Sequence, residues 1–441
     1  MPRPLTPEAG PAKESAGISP LPDGAACARF HLRVAGRQDG GMTRPARIVI
    51  VGASLAGASA AIALREEGFD GSLVLIGSER HRPYERPPLS KAILLGEADE
   101  PDWVGEPAFW DGSATLVAGT TATALDRERK VVRAGGEQYP YDRLVIATGS
   151  SPRRLDLAGA DLPGIFTLRS LDDALVLRER LRSGAPVVIV GAGWIGCEVA
   201  AAARKHDAPV VMAEPLSQPL VRVLGERVGA VFADLHREHG VDLRLGTGVT
   251  GFLGTDAVEA VQLSDGTTAE AATVVVGVGA APNLDLAEAA GLHLADGGIA
   301  VDATLQTSDP DIYAVGDVAA QEHPRYAHRV RVEHWANAKD QGAHVAQNLL
   351  GGSRPYEARP FFFSDQYDLG CEYRGLADPA VDRLVVRGDL AGREFIAFWL
   401  RDGAVAAALN VNSWDDSDAL GDLVDSGRPV EEADLVSGSL S

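Results

Sequence analysis

At 441 residues the chain exceeds one ordinary core and predicts two or three domains. A 45% hydrophobic composition with mean hydropathy near zero is that of a soluble globular protein, and no run approaches the roughly 18 apolar residues of a membrane span. The net charge of −21 argues against a general nucleic-acid binder, because phosphate recognition needs a positive footprint.

Residues 1–42 are rich in Pro, Gly and Ala, show no sustained periodicity and lack the apolar stretch of a secretory signal; they are expected to form a disordered extension. Met42 opens MTRPARIVIVG just before the first strand and is a second candidate start. Cys27, Cys197 and Cys371 are far apart and have neither C-x-x-C nor metal-ligand spacing, so a reducing cytoplasm is expected and no metal site.

From residue 46 the pattern is strand, Gly-rich turn, helix, strand. An apolar strand at 48–51 enters GASLAG, followed by the Ala-rich helix ASAAIALREEG and a strand at 73–76. The same grammar returns at 187–190 with GAGWIG, the helix CEVAAAARKH and a strand at 210–213. The two turns, at residues 52 and 191, imply two nucleotide-binding domains of one type. Beyond residue 360 the β-rich segments EFIAFWLRDG and AVAAALNVN and an acidic helical end suggest a smaller α+β domain.

The second turn is complete. Gly191, Gly193 and Gly196 follow a strand and open a helix whose N-terminal amides and dipole suit a pyrophosphate. Glu214 ends the next strand, where a carboxylate accepts ribose hydroxyls, and no Arg or Lys follows until Arg222; this favours NAD over NADP. The first turn has Gly52 and Gly57 but Ser54 at its middle position, with Glu79 after the next strand. On its own it reads equally as a phosphate site or as a tight strand-to-helix turn.

Three further stretches bear on it: PYERPPLSK after Glu79, RLVIATG with Thr148 and Gly149 at a strand end, and IYAVGDVA with Asp317 at an expected helix start. As an ordered set these motifs resemble, over about residues 46–435, the FAD-dependent NAD(P)H reductases of the glutathione-reductase fold. Within that fold the resemblance is to the branch of putidaredoxin, rubredoxin and oxygenase-coupled ferredoxin reductases and, more distantly, apoptosis-inducing factor.

The resemblance implies an α/β protein with two Rossmann-like domains and a C-terminal α+β domain. Residues 43–150 and 280–358 would bind FAD, 151–279 NAD, and 359–441 would form the C-terminal reductase domain. It places Gly52, Ser54, Ala56, Gly57, Glu79, Arg86, Lys91, Thr148, Gly149, Asp317, Glu333, His334 and Trp335 at FAD. It places Gly191, Gly193, Trp194, Ile195, Gly196, Glu214 and Gly279 at NAD. Lys91 and Glu198 would form an ion pair beside the flavin, with Trp194 covering its face; from the residues alone, Glu198 reads as a helix-dipole glutamate and Trp194 as a packing aromatic. No cysteine stands in YERPPLSK, where the disulfide branch of the fold carries a redox pair.

The resulting expectation is an NADH-dependent flavoprotein that passes electrons to a ferredoxin or rubredoxin, serving an oxygenase such as a cytochrome P450, as a monomer or homodimer. Arg80, Arg82, Arg86 and Lys91, with Arg325, Arg329, Arg331, Lys339, Arg354 and Arg359, outnumber the carboxylates of their segments and suggest a basic rim for a small acidic partner. Phe363 stands where ferredoxin-reducing members often have Trp. A reductase of a quinone or of monodehydroascorbate, and a redox-signalling protein, are the competing readings.

Overall fold

The computed structural model describes residues 44–438. The N-terminal extension and Cys27 lie outside the described residues. Two five-stranded parallel sheets and one five-stranded antiparallel sheet organise the rest.

In the first sheet the central strand Arg47–Val51 pairs in parallel with Ser72–Ile76 on one side and Arg143–Ile146 on the other; Thr115–Val117 and Ile312–Ala314 form the edges. The strands read as continuous apolar runs because helices cover a parallel sheet on its faces. Ile48, Ile50, Leu75 and Ile146 are fully buried. The helix Leu55–Glu66 is built largely of Ala on its buried side, which lets a second helix, Trp335–Leu349, approach closely. A Cβ on Gly342 would sit 2.2 Å from the Ala56 carbonyl oxygen. That close approach brings the start of the later helix, and with it His334 and Trp335, over the first Gly-rich turn.

The second sheet repeats the plan. Val187–Val190 lies between Val210–Glu214 and Thr273–Val276, with Val241–Leu245 and Ile165–Phe166 at the edges. Ala280–Pro282 pairs antiparallel with Ser150–Pro152, so two short strands link the sheets where the chain crosses between them.

The C-terminal sheet runs Phe361–Gln366, Leu369–Gly375, Ala404–Val411, Glu394–Arg401, Arg383–Asp389 in spatial order, with the short helices Ser417–Ser426 and Glu432–Ser437 beside it. Its core holds Trp399, Phe395 and Tyr373, and the cluster extends to Leu224, Val228 and Phe232 of the helix Val221–Glu238. The strand Phe361–Gln366 is therefore held against the second nucleotide unit by apolar burial. Among the described residues no helix is long and apolar enough to cross a membrane.

Two local expectations change. Asp317 lies in a single 3₁₀ turn, Gly316–Val318, rather than at the start of an α-helix. The helix expected to begin at Cys197 begins at Trp194, with Gly193 as its N-cap, so Trp194, Ile195 and Gly196 form its first turn.

Candidate active site

A cavity of about 710 Å³ lies where the three units meet. That is within the range of roughly 300–1,000 Å³ usual for small-molecule and cofactor sites. Ser54, Ala56, Glu79, Arg86, Lys91, Thr148, Gly149, Asp317, Glu333, His334 and Trp335 line it, as do Gly193, Trp194, Ile195, Glu198 and Gly279. Residues from Ser54 to Trp335 thus share one wall.

Gly52, Gly57, Gly191, Gly196 and Glu214 do not line it. The four glycines serve the turns themselves. A Cβ on Gly57 would meet the Gly52 carbonyl oxygen at 2.0 Å, and one on Gly196 the Gly191 carbonyl oxygen at 2.1 Å. Gly52 and Gly191 also have φ of +119° and +97°, a backbone region that side chains strain. Gly193 is different: an added Cβ would find no atom nearer than 4.0 Å, so this position faces open space. Glu214 has turned its carboxylate onto its own turn, accepting from the Ala192 amide at 2.8 Å and the Leu216 amide at 3.0 Å.

At the first turn, the Ser54 hydroxyl accepts a hydrogen bond from Arg86 Nε at 3.2 Å. Arg86 also donates to Glu79 Oε1 at 2.6 Å and to the Arg169 carbonyl, and the Tyr84 hydroxyl donates to Glu79 Oε2. Ser54 therefore belongs to a polar cluster and is not a gap in a motif.

Arg169 is the residue that sequence reasoning missed. Its guanidinium donates to Asp317 Oδ2 at 3.0 Å, beside the Ser150 hydroxyl, which donates to the same oxygen at 2.6 Å. Burial and the neighbouring Arg86 charge push its pKa down. A capping box explains its position: the Ser170 hydroxyl accepts from the Asp173 amide, and Asp173 accepts from the Ser170 and Arg169 amides, starting the helix Leu171–Arg182. The S-x-x-D spacing reveals that helix start in sequence, but not that the preceding arginine faces Asp317, 148 residues away.

At the centre, Lys91 Nζ lies 2.8 Å from Glu198 Oε1, with only 17% and 4% of the two side chains exposed. The local chain breaks helical geometry to present the lysine: Lys91 has φ −112° and ψ −108° within a short irregular turn of helix. Glu198 further accepts from the Ser364 hydroxyl at 2.6 Å and from the Ser90 hydroxyl. Lys91 also sits 5.2 Å from the centre of the Phe363 ring. Trp194 packs edge-on against Phe362 at 4.7 Å and Phe232 at 5.8 Å, and Phe362 also meets His334 at 4.7 Å. Trp335 packs edge-on against Phe363 at 6.2 Å and donates its indole N–H to Glu85.

Two polar atoms in this wall are buried without a partner, Arg169 Nε and His334 Nδ1. Unpaired buried donors and acceptors are costly, so each marks a place where a ligand atom completes the site. An anion suits the first. Burial pushes the His334 pKa down to about 4, so its ring is neutral near pH 7 and suits a neutral polar edge. With Glu79 and Asp317 available for hydroxyls and aromatic rings at the deep end, the donor set fits a flavin dinucleotide.

Six of the ten positive side chains of the expected basic rim are paired with carboxylates. Arg325 and Arg359 both pair with Asp425, Arg329 with Asp296, and Arg331 with Glu333. Arg86 and Lys91 pair with Glu79 and Glu198. The count of positive residues in sequence thus overstates the charge presented to a partner.

A doubly wound parallel unit repeated twice and followed by an antiparallel sheet, with a cavity between them, is the plan of a two-nucleotide oxidoreductase. Residues 46–342 match the pyridine nucleotide-disulphide oxidoreductase family model and residues 361–441 the reductase C-terminal model, and the chain belongs to this family. It is 41% identical over 374 residues to putidaredoxin reductase of Pseudomonas putida, covering 83% of this chain and 88% of that protein. It is also 41% identical over 355 residues to rhodocoxin reductase of Rhodococcus erythropolis, covering 80% and 83%. Its structure resembles the ferredoxin reductase for the CYP199A2 system from Rhodopseudomonas palustris, with a TM-score of 0.85 and 37% identity over 90% of this chain and 98% of that one. The covalent putidaredoxin reductase–putidaredoxin complex matches with a TM-score of 0.83 and 39% identity, covering 88% and 94%. The chain is an oxidoreductase of the glutathione-reductase fold.

Proposed function

We propose that this protein is an NADH-dependent FAD reductase that delivers electrons singly to a small iron–sulfur protein or rubredoxin, within a cytoplasmic oxygenase system such as that of a cytochrome P450. The observation that carries this reading is the buried Lys91–Glu198 pair between the two nucleotide turns, in a cavity with no cysteine among its lining residues. Cys197 and Cys371 are 0% and 1% exposed, and burial pushes both thiols up, away from the reactive thiolate. Among the described residues no cysteine pair supports a route through a protein disulfide, and in this reading electrons pass directly to an external acceptor.

Bound FAD would supply the ability to take up a hydride and release electrons one at a time. The protein's part is to bind and orient it. Arg169 and the first-turn amides suit its phosphates, Glu79 and Asp317 its hydroxyls, and His334 and Trp335 the ring end. Trp194, at the mouth of the second turn and packed on Phe362, is positioned to yield to nicotinamide. Lys91 and Glu198 hold a fixed charge pair where the ring is reduced, and water is largely excluded there, which strengthens that field. Glu214, with no cation beside it in the turn, supports NADH over NADPH by repelling a 2′-phosphate. The relatives' names, putidaredoxin reductase and rhodocoxin reductase, support a protein electron acceptor.

The test is an absorption spectrum of the purified protein, anaerobic titration with NADH and NADPH, and cytochrome c reduction with and without an added ferredoxin. A flavin spectrum bleached by NADH and a strong ferredoxin-dependent gain are expected. Fast turnover of a quinone with no gain from ferredoxin would move the assignment to a small acceptor.

A further inference from the structure

Glu198 is the end of a longer buried chain. Ser364 Oγ donates to Glu198 Oε1 at 2.6 Å, Gln366 Nε2 to Ser364 Oγ at 3.2 Å, His236 Nε2 contacts Gln366 Oε1 at 3.1 Å, and the Tyr367 hydroxyl contacts His236 Nδ1 at 3.2 Å. Ser364, Gln366 and His236 are 1%, 1% and 0% exposed. His239 stacks on Tyr367 at 3.7 Å and 13° and fixes the outer end.

The direction of every bond follows from chemistry. Glu198, paired with Lys91, is an acceptor only. The single Ser364 proton is therefore committed to Glu198, and Ser364 must accept from the amide nitrogen of Gln366. That orients Gln366 Oε1 toward His236, which must donate from Nε2. The neutral ring then offers Nδ1 as an acceptor, and Tyr367 donates to it. All four protons point toward the carboxylate. Burial disfavours protonation of His236, whose pKa is pushed down to about 4, consistent with a single neutral tautomer.

We infer that Ser364, Gln366, His236 and Tyr367 form a one-way hydrogen-bond relay that positions and polarises the Glu198 carboxylate. Aligned bonds in a low-dielectric interior strengthen one another, so the outer members act on Glu198 through Ser364. The chain is not a proton conduit, because an amide in the middle passes no proton without adopting its imidic form. The relay also crosses units: His236 lies in the last turn of the helix Val221–Glu238, while the other three lie on or just after the strand Phe361–Gln366. The C-terminal sheet thereby shapes the electrostatics of a carboxylate carried by the second nucleotide unit. This inference rests on the assignment of Lys91–Glu198 to the flavin.

The test compares His236→Leu, Gln366→Leu and His236→Gln in the full-length holoprotein, with ¹⁵N spectra of labelled histidine in the wild type. His236→Leu and Gln366→Leu are expected to slow flavin reduction at saturating NADH by about 2- to 5-fold, with KM for NADH unchanged. Both should lower the flavin midpoint potential, since a less polarised Glu198 disfavours the negative reduced ring. His236→Gln, which keeps a donor toward Gln366, should recover most of the rate. Folded, flavin-bound Leu variants with unchanged rate and potential overturn the relay. If these variants do not fold, the wild-type spectrum decides: a neutral Nε2–H tautomer between about pH 5 and 9 supports the relay, and an Nδ1–H tautomer or a titration in that range overturns it. The tautomer is read without turnover, so an intact relay in a protein whose Lys91 and Glu198 variants reduce normally would instead refute the flavin assignment.

Discussion

Lys91 Nζ and Glu198 Oε1 are separated by 2.8 Å in space and 107 residues in sequence, and the pair joins the first nucleotide unit to the first helix of the second. The two side chains are only 17% and 4% exposed, so the pair is shielded from water where the two units meet.

Breaking that pair from one side leaves an uncompensated buried charge. Lys91→Ala is expected to cost roughly 3–5 kcal/mol. It should also slow flavin reduction or release flavin. Denaturant unfolding and stopped-flow reduction by NADH check both; normal stability with full flavin and an unchanged rate would contradict the role given to the pair.

Arg169→Met keeps an unbranched apolar stem and removes the donors that reach Asp317 and the unpartnered Nε. A charge-assisted hydrogen bond to phosphate or carboxylate contributes about 1.5–3 kcal/mol, so FAD affinity should fall about 10- to 100-fold. Fluorescence of released flavin on dilution measures it.

Glu214→Ala has opposing effects. It leaves the buried Ala192 amide without its acceptor, at a cost of about 1–3 kcal/mol, and removes the repulsion of a 2′-phosphate. The ratio of kcat/KM for NADPH over NADH should rise about tenfold while Tm falls. Steady-state kinetics with both nucleotides and thermal unfolding give the two answers; an unchanged ratio would remove Glu214 from nucleotide choice.

His236 predicts a pH dependence. Its folded pKa of about 4 lies below the ordinary imidazole value of 6.5, so between those values the unfolded chain binds the proton first. The contribution of the neutral ring is complete above pH 6.5 and is lost as pH falls to about 4, amounting to about 3 kcal/mol in all. His236→Gln should flatten the fall of Tm across that window, and a wild-type slope retained in the variant would place the loss elsewhere.

Much of this site is legible in sequence because nucleotide turns are local. The glycines of GAGWIG and the strand-turn-helix order are short-range requirements of the backbone, visible in ten residues. Ser54 shows the limit of that reading. Within GASLAG it is an imperfection, whereas in the structure its hydroxyl bonds Arg86, which in turn bonds Glu79. Arg169 was not legible at all, since an arginine before a capped helix looks like any solvent-facing residue. The charge of the basic rim is overcounted in sequence for the same reason: the sequence does not reveal that Arg325 and Arg359 share Asp425.

The two Gly-rich turns, the class of fold and the lack of a cysteine in the stretch before Lys91 follow from residue type and near-neighbour spacing. Which polar groups are paired, which lack a partner, and that Glu198 ends a hydrogen-bonded chain from Tyr367 emerge with the packed fold. Those depend on burial and on hydrogen-bond direction, which arise when the C-terminal sheet packs its apolar face on the helix Val221–Glu238 and brings together side chains more than a hundred residues apart.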